Sequence, residues 1–332
     1  MDEIISLDYG SGGKKTAALI EKLILPVLRN PELEQLGDGA VVPGAETLVV
    51  STDSFVVHPL FFPGGDIGKL AVCGTVNDLA MCGAVPRYLS LALILEEGLP
   101  AETLRRVLAS VGEAAAACGV KVVTGDTKVV ERGRGDGVYI NTTGIGFLRT
   151  PGLSPEAIQE GDAVLVSGTM GDHGTAVMLA RGDLLEGEIR SDCAPLHELT
   201  QSLLDSGASV RVLRDPTRGG LATTLNEFVE NRTLGIEMEE ERVPVRPDVR
   251  AACGILGLDP LYCANEGKLI AVVSPETAGT ALEALRQRPE GQNAAIVGRV
   301  SARWPGRVVM HTAFGGSRVL QKLAGAQLPR IC

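Results

Sequence analysis

Residues 100–124 read PAETLRRVLASVGEAAAACGVKVVT, and their punctuation decides the fold class. Leu104, Val107, Leu108 and Val111 recur at the spacing of one helix face. Pro100 stands at the start and Gly119 just past the end, where a missing N–H and a left-handed backbone are tolerated. The spacing predicts a helix over Ala101–Cys118. Lys121–Thr124, with two consecutive valines, then predicts a strand. A helix that runs into a strand is the repeating unit of an α/β (α+β) protein, and the alternation continues along the chain. Strands are expected at Thr47–Phe55, Tyr88–Leu95, Val138–Phe147, Ala163–Ser167, Leu269–Ser274, Ala294–Val300 and Arg307–His311. Helices are expected at Lys14–Leu28, Asp66–Cys82, His173–Ala180, Pro195–Leu204, Leu221–Asn231, Pro275–Arg288 and Ser317–Leu323.

The chain has 332 residues, which at about 150 per domain suggests two domains. Thr150-Pro151-Gly152-Leu153-Ser154-Pro155 interrupts the periodic segments and divides the chain into 1–150 and 151–323. Residues 324–332 carry no helical or strand pattern and are expected to form a mobile tail, with a reach of roughly 30 Å when extended. Lys and Arg number 31 against 41 Asp and Glu, a net charge of −10. That balance argues against nucleic-acid and anionic-membrane binding, which need clustered positive charge. Aromatic residues make up 3% of the chain, too few for a base-stacking platform. The acidic N-terminus is not a signal peptide, and no apolar run approaches the ~20 residues that span a bilayer. The 7 cysteines are odd in number and irregularly spaced, without a CxxC. Reduced thiols in a cytoplasmic protein fit better than a disulfide framework or a structural zinc site.

The chemistry concentrates in aspartates beside glycines or beside strands. They are Asp38 in Gly37-Asp38-Gly39-Ala40, Asp53 in Thr52-Asp53-Ser54, and Asp78 in Val76-Asn77-Asp78-Leu79. Asp126 in Gly125-Asp126-Thr127-Lys128 and Asp215 in Asp215-Pro216-Thr217-Arg218-Gly219-Gly220 complete the set. Carboxylates supply hard oxygen ligands for Mg²⁺, which bridges phosphate oxygens. Glycine lets backbone N–H groups approach phosphate. Lys14, Lys15, Lys128 and Arg218 supply balancing charge. Singly, each Asp-Gly pair reads first as a turn; the recurrence of five turns the reading toward a phosphate and metal site. A P-loop, a Rossmann glycine motif and a zincin motif are all absent from the sequence. The four histidines are scattered and read as packed or surface residues.

These segments, with Asn77-Asp78-Leu79-Ala80-Met81-Cys82-Gly83-Ala84, resemble the aminoimidazole ribonucleotide synthetase superfamily over nearly the whole chain. Its members use ATP without a P-loop to activate an oxygen by phosphorylation. Ser167-Gly168-Thr169-Met170-Gly171-Asp172-His173-Gly174, Ala264-Asn265-Glu266-Gly267 and Pro329-Arg330-Ile331-Cys332 narrow the resemblance to the carbamoyl dehydratases of [NiFe]-hydrogenase maturation. A selenophosphate synthetase fits less well, because the N-terminal glycine-rich loop has no reactive cysteine. Gly37-Asp38-Gly39 carries one aspartate where relatives often carry two, which leaves the number of metal ions open.

The resemblance implies a two-domain fold. The N-terminal domain pairs with its copy as an intersubunit strand barrel, and the C-terminal domain packs helices on a mixed sheet. It implies a homodimer with ATP and Mg²⁺, in which Asp38, Asp53, Asp78, Asp126 and Asp215 hold metal. On the same resemblance, Asp38, Gly39, Asp53, Asn77, Asp78, Gly125, Asp126, Thr127 and Lys128 are expected to bind the nucleotide. The resemblance further implies that the HypF carbamoyltransferase loads a carbamoyl group onto Cys332, that ATP-dependent dehydration converts it to a thiocyanate, and that the HypC–HypD complex receives the cyano group. Lys128 is expected to stabilise charge on phosphate or the amide oxygen, and Glu266 to take a proton from the amide nitrogen. The plainer readings make Lys128 a surface strand lysine and pair Glu266 with Lys268. Three other functions stay open: another kinase or synthetase of the superfamily, a non-catalytic carrier of a carbamoylated tail, and a metal-storage or structural protein.

Overall fold

The computed structural model describes residues 2–182, 189–323 and 325. Cys332, and the expected tail apart from Gly325, lie outside the described residues. After a 3-10 turn (Leu7–Gly10) comes α1 (Lys14–Leu19), which passes through a π-helical turn (Ile20–Ile24) into α2 (Leu25–Leu28). Then come β1 (Leu48–Phe55), the short pair β2 (Phe61–Phe62) and β3 (Gly65–Asp66), α3 (Ile67–Met81), β4 (Ala84–Glu96), α4 (Ala101–Cys118), β5 (Lys121–Val130) and β6 (Val138–Leu148). The second half holds β7 (Ala163–Val166), α5 (Asp172–Arg181), α6 (His197–Asp205), β8 (Val210–Arg214), α7 (Gly220–Val229), β9 (Gly235–Glu239) and α8 (Pro247–Leu256). It closes with β10 (Ile270–Val273), α9 (Ala278–Arg286), β11 (Ala295–Ser301), β12 (Val308–His311) and β13 (Ser317–Leu320).

α4 takes the expected bounds for the expected reasons. Leu104, Val107, Leu108 and Val111 are all buried, and Gly119 turns left-handed at φ 64°. α3 is buried almost all round, as befits a helix wedged between layers. Its N-cap Asp66 accepts from Gly68 N–H at 2.8 Å and Lys69 N–H at 3.1 Å. The first sheet runs β1-β6-β4-β5, antiparallel except for the parallel β4–β5 edge. α3 and α4 pack on one face, over a core that includes Leu70, Leu91, Leu93 and Leu104.

The second sheet runs β13-β12-β9-β11-β7-β10-β8 and is mixed, since β9 and β12 pair in parallel. Both faces of its centre are covered, so β7 is apolar at all four positions. Val164 and Val166 pack with Leu221, Leu225 and Phe228 of α7. Ala163 and Leu165 pack with Leu199 and Leu203 of α6 and Ala281 and Leu285 of α9.

Three local expectations change. Gly125-Asp126-Thr127-Lys128 lies inside β5 and does not follow it, because the segment continues to pair with Leu91–Ile94 of β4. Ser317–Leu323 is not a helix: Ser317–Leu320 forms β13 and pairs antiparallel with β12. β8, β9 and α8 were not anticipated: Val210–Arg214 and Gly235–Glu239 are five residues each, too short for their alternation to stand out, and α8 spans fewer than three turns.

Candidate active site

Along β1, Ser51, Asp53 and Phe55 point toward α3, and the residues between them point away. α3 lies close there because residue 74 is glycine, where a Cβ would stand 3.0 Å from the Phe55 ring. The approach brings Asp78 to Ser51, whose hydroxyl donates to the carboxylate at 2.6 Å. Burial raises Asp53 above the usual carboxylate range, with Asp78 adding to it and Arg218 opposing. Burial likewise raises Asp78, against the Ser51 hydrogen bond and the charges of Arg214 and Arg218.

Asp215 and Glu266 complete this acidic group from the second half. Asp215 follows the end of β8 and is buried; burial and then Asp78 push it up to about 7. Glu266 is 3% exposed, and burial raises it well above the usual range, helped by Cys193, Asp215, Asp192 and Asp53. Gly219 and Gly220 make this meeting possible. Both have positive φ, 76° and 59°, and a Cβ on Gly220 would stand 2.6 Å from the carbonyls of Cys263 and Leu261. The start of α7 therefore lies against the segment that leads to Glu266.

A second group forms at the opposite edge of the first sheet. A cleft of ≈ 650 Å³ opens between the α1–α2 stretch and β5, lined in part by Gly10, Gly12, Thr16, Gly37 and Gly39 and by Gly125 to Lys128. Asp38 is exposed beside it. Lys128 Nζ stands 3.0 Å from Asp126 Oδ1, and this bond holds Asp126 below its ordinary value. Gly125 lets β5 sit tight on β4, since a Cβ there would meet Leu91 O at 2.2 Å. Asp53, Thr142, Leu91 and Gly125 form one row across the sheet. Three strand spacings separate its ends, roughly 14 Å. Within one chain, then, Asp53, Asp78, Asp215 and Glu266 come together, and Gly39, Asp126, Thr127 and Lys128 gather elsewhere.

Asn77 lies between the two halves and is spent on backbone. It donates to Ala194 O at 3.1 Å and Glu266 O at 3.3 Å, and accepts from Leu196 N–H at 2.7 Å. Lys15 pairs with Asp2 at 2.9 Å and Asp8 at 3.5 Å. Lys268 pairs with Asp192 at 3.6 Å and not with Glu266. Asp192 escaped the sequence reading, and Asn265 entered it only as part of the Ala264-Asn265-Glu266-Gly267 motif, without a role of its own. Asn265 joins three segments: its Oδ1 accepts from Gly171 N–H, and its Nδ2 donates to Pro216 O and Cys263 O.

Among the described residues, no three His, Cys, Asp or Glu side chains converge as a closed metal cage. The donor set still suits Mg²⁺, which takes one or two carboxylates and completes its shell with phosphate and water. Facing carboxylates that repel one another gain from a hard cation between them.

The N-terminal domain of AIR synthase related protein matches residues 36–148, and the C-terminal domain of the same family matches residues 159–311. The fold and the paired domains thus define an AIR synthase related protein. Over 99% of its length the chain is 51% identical to carbamoyl dehydratase HypE of Azotobacter vinelandii, of which it covers 97%. It matches the crystal structure of hydrogenase maturation protein HypE in complex with ATP at 51% identity and TM-score 0.95, over 98% of this chain and 99% of that one. A HypE–HypF complex matches at 46% identity and TM-score 0.80, over 92% of this chain and 100% of that one. The chain belongs to the AIR synthase related family and, within it, to the family of carbamoyl dehydratase HypE.

Proposed function

We propose that this chain is an ATP-dependent carbamoyl dehydratase of hydrogenase maturation, acting on a carbamoyl group carried by Cys332. The observation that carries the reading is its likeness, over 98% of its length, to a HypE structure that binds ATP. The reaction is R–S–C(=O)NH₂ + ATP → R–S–C≡N + ADP + phosphate, where R–S is the Cys332 side chain. An amide oxygen is a poor leaving group; phosphorylation lets it depart as phosphate while the nitrogen gives up both protons.

Lys128 carries the charge that meets the phosphate or the amide oxygen; because it stands across the first sheet from Glu266 within one chain, the Lys128 that serves a given Glu266 is supplied by the second copy across the proposed interface. Glu266 takes a proton from the nitrogen: a carboxyl raised by burial is, once ionised, a stronger base than an ordinary one. Asp38, Asp53, Asp78, Asp126 and Asp215 are the carboxylates available to Mg²⁺, which supplies charge neutralisation for the triphosphate when bound. Gly39, Gly125 and Thr127, which line the cleft beside Lys128, are the proposed backbone contacts to the nucleotide. Asn77 serves by holding residues 194–196 and Glu266.

Residues 1–150 form the ATP-binding and dimerisation domain, 151–323 the second domain, and 324–332 the tail that carries the thiol. The homodimer is supported by the sheet face that α3 and α4 leave open, where Val50 is 63% exposed, Leu48 47% and Ile94 42%. A second copy on that face completes a strand barrel and sets nucleotide at or near the interface. HypF loads the carbamoyl group and HypC–HypD receives the cyano group, with all of this in the cytoplasm, where the carrier thiol stays reduced.

Mass spectrometry of the C-terminal peptide tests the reading. After incubation with HypF, carbamoyl phosphate and ATP, Cys332 should carry first a carbamoyl and then a cyano adduct, the second only with ATP hydrolysis. Lys128→Ala and Glu266→Ala should each abolish the second adduct while leaving the fold intact; full activity in both would defeat the assignment.

A further inference from the structure

Glu266 lies in a segment whose backbone is pinned from two sides. On one side Asp192 accepts two consecutive N–H groups: Glu266 N–H to Oδ1 at 3.1 Å and Gly267 N–H to Oδ2 at 3.3 Å. On the other, the Glu266 carbonyl accepts from Asn77 Nδ2 at 3.3 Å and from Ala194 N–H at 3.4 Å. The approach on the Asp192 side requires glycine at 267, where a Cβ would stand 1.9 Å from Asp192 O.

The Asp192 side chain is only 2% exposed, and the Lys268 ammonium, itself 13% exposed, balances it at 3.6 Å. A buried carboxylate that spends both oxygens on successive backbone donors fixes a peptide plane more firmly than one neutral hydrogen bond. The groups facing this region are Cys193, Asp215 and Asp53 toward Glu266, and Asp172 and Lys268 toward Asp192. Asp192 comes some 70 residues earlier in the chain and reaches the site only through the packing of its loop.

We infer that Asp192, with Lys268 as its counter-charge, is the positioning residue that aims the Glu266 carboxyl at the reacting amide. The inference rests on Glu266 being the proton acceptor proposed above. Asp192 touches neither nucleotide nor carbamoyl group in this scheme and acts through the backbone of residues 266–267. A base displaced by about 1 Å can lose on the order of 100-fold in rate, with binding of the other substrate unaffected.

The test is single-turnover conversion of the carbamoylated full-length chain to its nitrile, with ATP varied, at a temperature where circular dichroism finds each variant folded. Asp192→Ala removes both acceptors and should slow the maximal rate about 100-fold. Asp192→Asn keeps one acceptor and should slow it about 10-fold. In both, the ATP concentration for half-maximal rate should stay within about twofold. Lys268→Met, which leaves the two hydrogen bonds but strips their counter-charge, should fall between the parent and Asp192→Ala, and it keeps the inference testable if Asp192→Ala does not fold. Glu266→Gln is measured alongside. If Glu266→Gln is inactive while the Asp192 and Lys268 variants match the parent, the positioning role is overturned. A higher ATP requirement at unchanged maximal rate also overturns it, because Asp192 would then serve the nucleotide. If Glu266→Gln matches the parent, the base assignment itself fails, whatever Asp192 does.

Discussion

At Asp215 the carboxyl rises from 3.8 to about 7, first because burial penalises its charge and next because Asp78 faces it. A raised folded pKa contributes stability below the unfolded value and loses it as pH climbs through the folded one. Replacing the group with one that cannot ionise should therefore help most at high pH. The stability of Asp215→Asn relative to the parent should grow between pH 4 and pH 8 by up to about 4 kcal/mol, read from urea melts without divalent cation. Glu266 gives the kinetic counterpart. Its base form appears only above the ordinary carboxylate range, so the dehydration rate should rise with pH through an apparent pKa above 4.5. A profile flat from pH 5 to pH 8 would contradict that role. The identities of Asp53, Asp78, Asp215 and Glu266 could be read as chemistry in the sequence. Their mutual electrostatics could not, because burial and neighbours raise these groups and both depend on packing.

β5 illustrates the element scale. Its valines mark the first half as a strand, while Gly125 and Asp126 are poor strand formers and suggest a stop. Pairing with Leu91–Ile94 overrides that local preference and carries the strand on to Val130. The glycine is required by the pairing itself: Gly125→Ala would drive a Cβ to 2.2 Å from Leu91 O. It should lower stability by about 1–3 kcal/mol in thermal melts and disturb the cleft that holds Lys128. β13 shows the opposite error, in which a short mixed segment, Ser317–Leu323, compatible with a helix becomes a strand over Ser317–Leu320 because β12 offers an edge. α4, by contrast, was legible to the residue, since an apolar face between a proline and a glycine leaves no competing arrangement.

At the scale of the molecule, the acidic group and the Lys128 cleft stand at opposite edges of one sheet, and the sheet face that exposes Leu48, Val50 and Ile94 is left open between them. Val50→Glu places a charge on that face. Under the proposed homodimer, analytical ultracentrifugation should find the parent dimeric and Val50→Glu monomeric, and ATP turnover should fall at least tenfold while each chain stays folded. A Val50→Glu protein that remains dimeric would move the interface elsewhere. Divalent cation should act on the same assembly from the acidic side. With ATP present, Mg²⁺ should raise the melting temperature, and Asp53→Asn with Asp78→Asn should remove most of that gain.

By itself the sequence determined the alternation of strands and helices, the acidic and glycine-rich character of the site, and the family. Helix punctuation, apolar spacing and motif residues are local properties written in order along the chain. Only the tertiary structure decided which of those residues meet. Asn77 reaches Ala194 and Glu266, and Asp192 reaches the 266–267 backbone, across separations of about 70 to 190 residues. A hydrogen bond between such distant segments leaves no periodicity in sequence, since it exists only where elements of both sheets pack against α3.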